Sequence, residues 1–181
     1  KYVERGMSFL DYGAGSGTTY EALLSSGMLT TFIKEYRGLD IIPKNTEWCQ
    51  QTFPNGNWGV NHELHKIDSS NQSWDVVYSR HVVDHMESFE KALEEHKRVA
   101  KKLVIVILWV GLSNLDEHQI KNIDYRPSGG KLYPNEYTNI YSKKKVEEYL
   151  NSDPNWELLE FNEDVQKDQV IVLRSTSTGS V

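Results

Sequence analysis

The chain has 181 residues, 38% hydrophobic and 25% charged, which suits one domain with its own core and excludes a disordered or low-complexity polymer. Its formal net charge of −6 disfavours nucleic acid as a partner, because an acidic surface repels a phosphate backbone. The longest apolar run, residues 103–110, is too short to cross a bilayer, the opening Lys1-Tyr2-Val3-Glu4-Arg5 does not read as a signal peptide, and the lone Cys49 cannot form an internal disulfide, so the expected setting is the cytoplasm, with no membrane partner.

Along the chain, apolar runs alternate with amphipathic ones, the pattern of an α/β parallel sheet covered by helices. Residues 8–12 read as a short buried strand, followed by a glycine loop and a helix over 18–26 that stops at Gly27. A second strand covers 36–42 and ends against Pro43. A helix over 46–53 ends at Pro54-Asn55-Gly56. Residues 62–68 read as a third strand and 74–79, around Val76-Val77-Tyr78, as a fourth. Over 86–100, Phe89, Ala92, Leu93, His96, Val99 and Ala100 share one helical face. Residues 102–110, the most hydrophobic stretch, should be a central strand. A helix over 142–150 precedes two strands, 156–161 and 169–173. These last two must pair antiparallel, because a parallel crossover needs roughly a dozen residues or more.

Residues 1–174 then make a single domain, with 175–181 a small, polar tail that frays. Residues 111–141 are too long for an ordinary strand-to-helix connection. They hold Tyr125, Tyr133, Tyr137 and Tyr141, four of the chain's ten tyrosines, so they read as an ordered flap over the carboxyl ends of the strands.

The sharpest local signal is the run Leu10-Asp11-Tyr12-Gly13-Ala14-Gly15-Ser16-Gly17-Thr18, between a strand and a helix. Three glycines let the backbone turn sharply and approach a ligand where a Cβ would collide. The helix start beyond it offers free N–H groups and a positive dipole end. A dinucleotide fingerprint, G-x-G-x-x-G, would need a third glycine where Thr18 stands. A strand–turn–helix without ligand is the alternative.

This run resembles motif I of the class I S-adenosylmethionine (SAM)-dependent methyltransferases, of the type 11-like kind. Later segments follow in that family's order: Gly38-Leu39-Asp40-Ile41, Lys66-Ile67-Asp68-Ser69, Trp74-Asp75-Val76-Val77-Tyr78-Ser79-Arg80-His81-Val82-Val83-Asp84-His85, and Lys97 to Lys102 leading into Leu103-Val104-Ile105-Val106. The resemblance spans nearly all of residues 8–173. It implies a three-layer αβα Rossmann-like sandwich on a seven-stranded, mostly parallel sheet of order 3-2-1-4-5-7-6, with an antiparallel C-terminal hairpin. Two departures stand out. Lys101-Lys102 replace the Gly-Gly common before the fifth strand, and only seven residues precede the first strand, where relatives usually carry cap helices.

The resemblance implies SAM as cofactor, bound by Asp11, Gly13, Ala14, Gly15, Gly17, Asp40, Ile41, Ile67, Asp68 and Ser79. Asp40, 23 residues after Gly17, suits a carboxylate that accepts from ribose hydroxyls. Asp11 would orient the loop and the cofactor's ammonium. Ile41 and Ile67 would sandwich the adenine, and Asp68 would accept from its amine. His81 and His85, past the fourth strand, are candidate general bases, since histidine handles protons near neutral pH. Arg80, Trp109, Arg126 and Tyr133 are candidates for the acceptor pocket. His81, Asp84 and His85 also have i, i+3, i+4 spacing, but without a fourth ligand no metal site is assigned. The expected activity is methyl transfer to a small molecule. The alternatives are a non-catalytic SAM-binding module and a nicotinamide-dependent oxidoreductase.

Overall fold

The computed structural model describes residues 1–86, 88–109, 111–114, 119–121 and 138–177, with only the backbone path of 119–121 and 138. Nine strands and five helices are described: β1 Met7–Tyr12, α1 Thr18–Ser25, α2 Met28–Thr31, β2 Ile33–Asp40, α3 Pro43–Thr52, β3 Trp58–Val60, β4 Trp74–Arg80, α4 Phe89–Val99, β5 Ala100–Leu108, β6 Gln119–Lys121, β7 Thr138–Ile140, α5 Lys143–Ser152, β8 Trp156–Glu163 and β9 Gln169–Ser175. A single 3₁₀ turn, Val83–His85, stands between β4 and α4.

Seven strands form one sheet in the order β3-β2-β1-β4-β5-β9-β8. With the separate β6–β7 pair set aside, this is the expected 3-2-1-4-5-7-6 path. β1 to β5 run parallel, and β9 is antiparallel to both β5 and β8. All six residues of β1 are buried, as a central strand covered on both faces requires. Its side chains alternate between two cores. Leu10 and Tyr12 join Leu39, Val77, Val104 and the inner face of α4 and α5. Phe9 joins Tyr20, Tyr36, Cys49, Trp58 and Val76. This is the three-layer sandwich. Each large side chain so buried contributes about 1.5–3 kcal/mol of hydrophobic driving force.

Several boundaries move for physical reasons. The third strand is Trp58–Val60, not 62–68. The ladder runs Gly38 to Trp58 and Asp40 to Val60, and then Asn61 folds the chain into a loop, its Nδ2 donating to the carbonyls of Glu63 and Lys66. The second strand starts earlier and stops at Asp40, and Pro43 opens α3 rather than merely ending a strand. The helix expected over 86–100 begins at Phe89, where the Ser88 hydroxyl accepts from the Lys91 N–H. Its buried face holds Phe89, Ala92, Leu93, His96 and Val99 as anticipated, with Lys97 added. Of the expected flap, only 111–114, 119–121 and 138–141 are described. Its return leg is fastened to the turn after β4: Tyr141 donates to the Val83 carbonyl at 2.8 Å, and Asn139 donates to the Asp84 carbonyl at 3.2 Å.

Candidate functional site

The carboxyl ends of β1 to β5 share one edge of the sheet, and the antiparallel β9 begins at that same edge, Leu108 pairing with Gln169. Ligands in open α/β sheets bind at such an edge, where the strand order reverses. Here the reversal lies between β1 and β4.

The glycine loop sits at that point. The N–H groups of Gly13 and Ala14 donate to the Leu39 carbonyl at 2.7 and 2.9 Å, which ties the loop to β2. Gly13 has φ +77, and a Cβ there would meet Val82 Cγ2 at 2.2 Å. The segment following β4 therefore lies directly against the loop. Gly15 also has a positive φ, +55, but a Cβ there would meet nothing within 4 Å. Its N–H donates to Asp40 Oδ2 at 2.7 Å. The result is a backbone cradle open to the outside, with a carboxylate at its rim.

Asp40 is 7% exposed. Its Oδ1 also accepts from the Ile42 N–H at 2.8 Å and from Asn45 Nδ2 at 3.1 Å. Asp11 lies behind the loop, buried, accepting from the Tyr36 hydroxyl at 2.8 Å. Burial pushes its carboxyl up to about 7, against the pull of Tyr36. Ala14 is buried in the second core and Ile41 is half-buried. Ile67 and Ser79 are buried at 1% and 0% exposure. The Ser79 hydroxyl points inward to His96 Nε2 at 2.9 Å, and His96 Nδ1 meets the Ala92 carbonyl. That carbonyl can only accept, so Nδ1 carries the proton and Nε2 accepts from Ser79. Burial holds His96 down at about 4, so it is neutral at pH 7. Asp68 returns to the end of β3, where it accepts from the His62 N–H at 3.0 Å and contacts His62 Nδ1 at 2.5 Å.

Cys49, buried beneath the loop, points its thiol at the Gly15 carbonyl, and burial pushes that thiol up to about 11. It is no nucleophile at neutral pH. Among the described residues, no three His, Cys, Asp or Glu side chains are grouped to hold a metal ion. No helix among them is long and apolar enough to cross a membrane.

A family model described as a methyltransferase domain matches residues 10–108, which is more than half of the chain. The chain belongs to this methyltransferase domain family. Its cofactor is S-adenosyl-L-methionine. No curated protein sequence matches the methyltransferase. Its fold is similar to that of a SAM-dependent methyltransferase from Aquifex aeolicus, at TM-score 0.63 and 20% identity over 96% of this chain and 84% of that one. It also resembles a structure from Haloferax volcanii described as a methyltransferase activator with a putative methyltransferase, at TM-score 0.71 and 16% identity over 96% and 84%. A third likeness is to a magnesium protoporphyrin IX methyltransferase from Synechocystis with bound S-adenosylhomocysteine, at TM-score 0.65 and 14% identity over 95% and 75%.

On the far side of the reversal point, the methyltransferase gathers a polar cluster. His81 Nε2 lies 2.9 Å from Asp168 Oδ2, and Arg80 donates to the same oxygen at 3.2 Å. Burial alone would raise the Asp168 carboxyl, but His81 and Arg80 hold it below the usual carboxylate range. Trp109, 54% exposed, places its ring 6.4 Å from the His81 ring. The Trp109 N–H donates to the buried Asp84 at 3.1 Å, while His85 sits half-buried in the 3₁₀ turn. Arg126 and Tyr133 lie outside the described residues. Asn45, Asn61, His62 and Asp168 were not singled out from the sequence. His62 falls within the expected third strand, residues 62–68, and Asn61 immediately precedes it, whereas the structure places both in the loop after β3. Asp168 had a legible signal: it immediately precedes the strand that must lie beside β5.

Proposed function

We propose that this methyltransferase transfers a methyl group to a small-molecule acceptor at the carboxyl edge of the sheet. The observation that carries this is the cradle at Gly15: an open backbone approach with the Asp40 carboxylate 2.7 Å from the Gly15 N–H. These donors and acceptors suit SAM. Asp40 lies at the edge where the ribose hydroxyls would donate to it, and a carboxylate has lone pairs beyond those its three N–H partners use. Gly13, Ala14, Gly15 and Gly17 would carry the loop along the cofactor. Asp11 would hold the loop from behind, Ile41 would contact adenine, and Asp68 would act through His62. Ile67 and Ser79 would support that surface from the core.

When bound, SAM supplies an electrophilic methyl group on a sulfonium. A neutral nucleophile needs alignment more than charge stabilisation, so holding the acceptor in line supplies most of the catalysis. Arg80, His81, His85 and Trp109 would line the acceptor side, with Arg126 and Tyr133 added by the 111–141 segment. Residues 1–174 would act as one domain, and the net charge of −6 favours a small acceptor over nucleic acid. Calorimetric titration with SAM and S-adenosylhomocysteine, beside NAD, tests the reading. Binding of the first two and not of NAD supports it. NAD binding alone would return the oxidoreductase reading, and SAM binding without turnover of any acceptor would favour a non-catalytic module.

A further inference from the structure

His81 is one of only three non-glycine residues with positive φ among the described residues, at +58. Outside glycine this region costs energy and persists only where surroundings impose it. Here the constraints are visible. The His81 N–H donates to the Ile107 carbonyl at 2.8 Å, continuing the β4–β5 ladder, while its neighbour Val82 packs against Gly13. The ring is thereby turned toward the start of β9, where Asp168 waits. Asp168 is fixed in its own right. Asp164 Oδ1 accepts from the Gln166 and Asp168 N–H groups at 2.7 and 3.0 Å, and the Asp164 N–H donates back to the Asp168 carbonyl. A carboxylate held this firmly, 5% exposed and also gripped by Arg80, can only accept a hydrogen bond from the imidazole. It therefore fixes the proton on His81 Nε2 and leaves Nδ1 as the basic nitrogen.

We propose that Asp168 is the positioning residue for His81, which takes the proton from a hydroxyl acceptor whose flat ring lies on Trp109. This rests on the methyl-transfer reading above and specifies its acceptor as a phenol-like alcohol. An amine with a free lone pair needs no base at the moment of attack, whereas a hydroxyl must lose its proton to become a good nucleophile. The exposed Trp109 indole, its centroid 6.4 Å from that of the His81 ring, offers an aromatic face beside the base on which an acceptor ring can lie. In the step, the hydroxyl proton passes to His81 Nδ1 as the acceptor oxygen bonds to the methyl carbon. The carbon–sulfur bond breaks with its electron pair left on sulfur, and the imidazolium so formed is stabilised by Asp168.

The test has two readouts. In ¹⁵N-labelled protein, His81 should show a low-field Nε2–H resonance that disappears in Asp168→Ala and persists in Asp168→Asn, whose amide oxygen still accepts. Kinetically, with catechol as probe, Asp168→Ala should lower kcat about tenfold or more, while catechol KM and the SAM dissociation constant stay within about threefold, under roughly 0.7 kcal/mol. With 4-nitrophenol at pH 8, already ionised and needing no base, the loss should be under about threefold. Absence of the wild-type resonance, its survival in Asp168→Ala, or equal losses on both probes overturns the role of Asp168. Wild-type protein that binds SAM but methylates neither probe overturns the acceptor class. Failure to bind SAM would instead sink the methyl-transfer reading, and the resonance would still decide whether Asp168 orients His81.

Discussion

Both carboxylate oxygens of Asp40 already carry protein partners, Gly15 on one and Ile42 with Asn45 on the other. Its loss therefore loosens the cradle as well as removing a contact. Asp40→Ala should weaken SAM binding by about 1–3 kcal/mol, or roughly five- to 150-fold, measured by calorimetry on protein whose circular dichroism is native. Unchanged affinity would remove Asp40 from the site. The two glycines beside it should separate fold from function. Gly15→Ala meets no atom within 4 Å but forces a side chain into positive φ, costing about 1–2 kcal/mol of stability while SAM affinity falls by more than about tenfold. Gly13→Ala must also displace Val82, whose Cγ2 would lie 2.2 Å from the new Cβ. It should cost about 1–3 kcal/mol more, and Val82→Ala in the same chain should restore much of that. Denaturant unfolding of these variants and of Val82→Ala alone checks this, and additivity of the Gly13 and Val82 changes would refute the packing account.

Between elements, the return leg of the 111–141 segment matters more than its length implies. Tyr141 is 3% exposed, and its hydroxyl donates to carbonyls of the turn that follows β4 while accepting from Asn139. Read from sequence, Tyr141 is one of four flap aromatics. In the structure it packs against Phe89 of α4, ring centroids 5.2 Å apart, and belongs to the core. Tyr141→Phe keeps the ring and removes the hydroxyl, leaving buried carbonyls short of a donor, so chemical denaturation should show a loss of about 1–2 kcal/mol. No loss would mean that Asn139 and the backbone already satisfy those carbonyls. The α4 face was legible because helical periodicity is local. The third strand was not, because no alternation of apolar and polar residues marks so short an element, and only pairing with β2 selects Trp58–Val60.

Across the whole molecule, two buried groups set opposing pH dependences. Asp11 has a folded value raised to about 7 from 3.8. Below pH 7 the folded state holds a proton that the unfolded state lacks, so this group makes stability rise as pH falls from 7 toward 4 and lowers it as pH climbs back. His96 is depressed to about 4 from 6.5. Below pH 6.5 the unfolded state binds the extra proton, so stability falls as pH drops toward 4. These two contributions therefore nearly cancel between pH 4 and 6.5. Asp11→Asn removes the first contribution, leaves the His96 slope uncompensated and, with no charge to bury, should be more stable than wild type at pH 8. Thermal melts across pH 4–8 check this, and parallel curves for the two proteins would contradict it. The sequence by itself determined the alternating α/β plan, the glycine loop with its acidic strand ends and the antiparallel final hairpin. These follow from short-range periodicity, turn chemistry and connection length, which are written in neighbouring residues. Only the tertiary structure decided that Ser79 turns inward to His96, that Asp68 reaches the end of β3 through His62, and that Asp168 meets His81 across 87 residues of chain. Such partners are chosen when the ladder sets which strand ends share an edge, and no local pattern encodes that pairing.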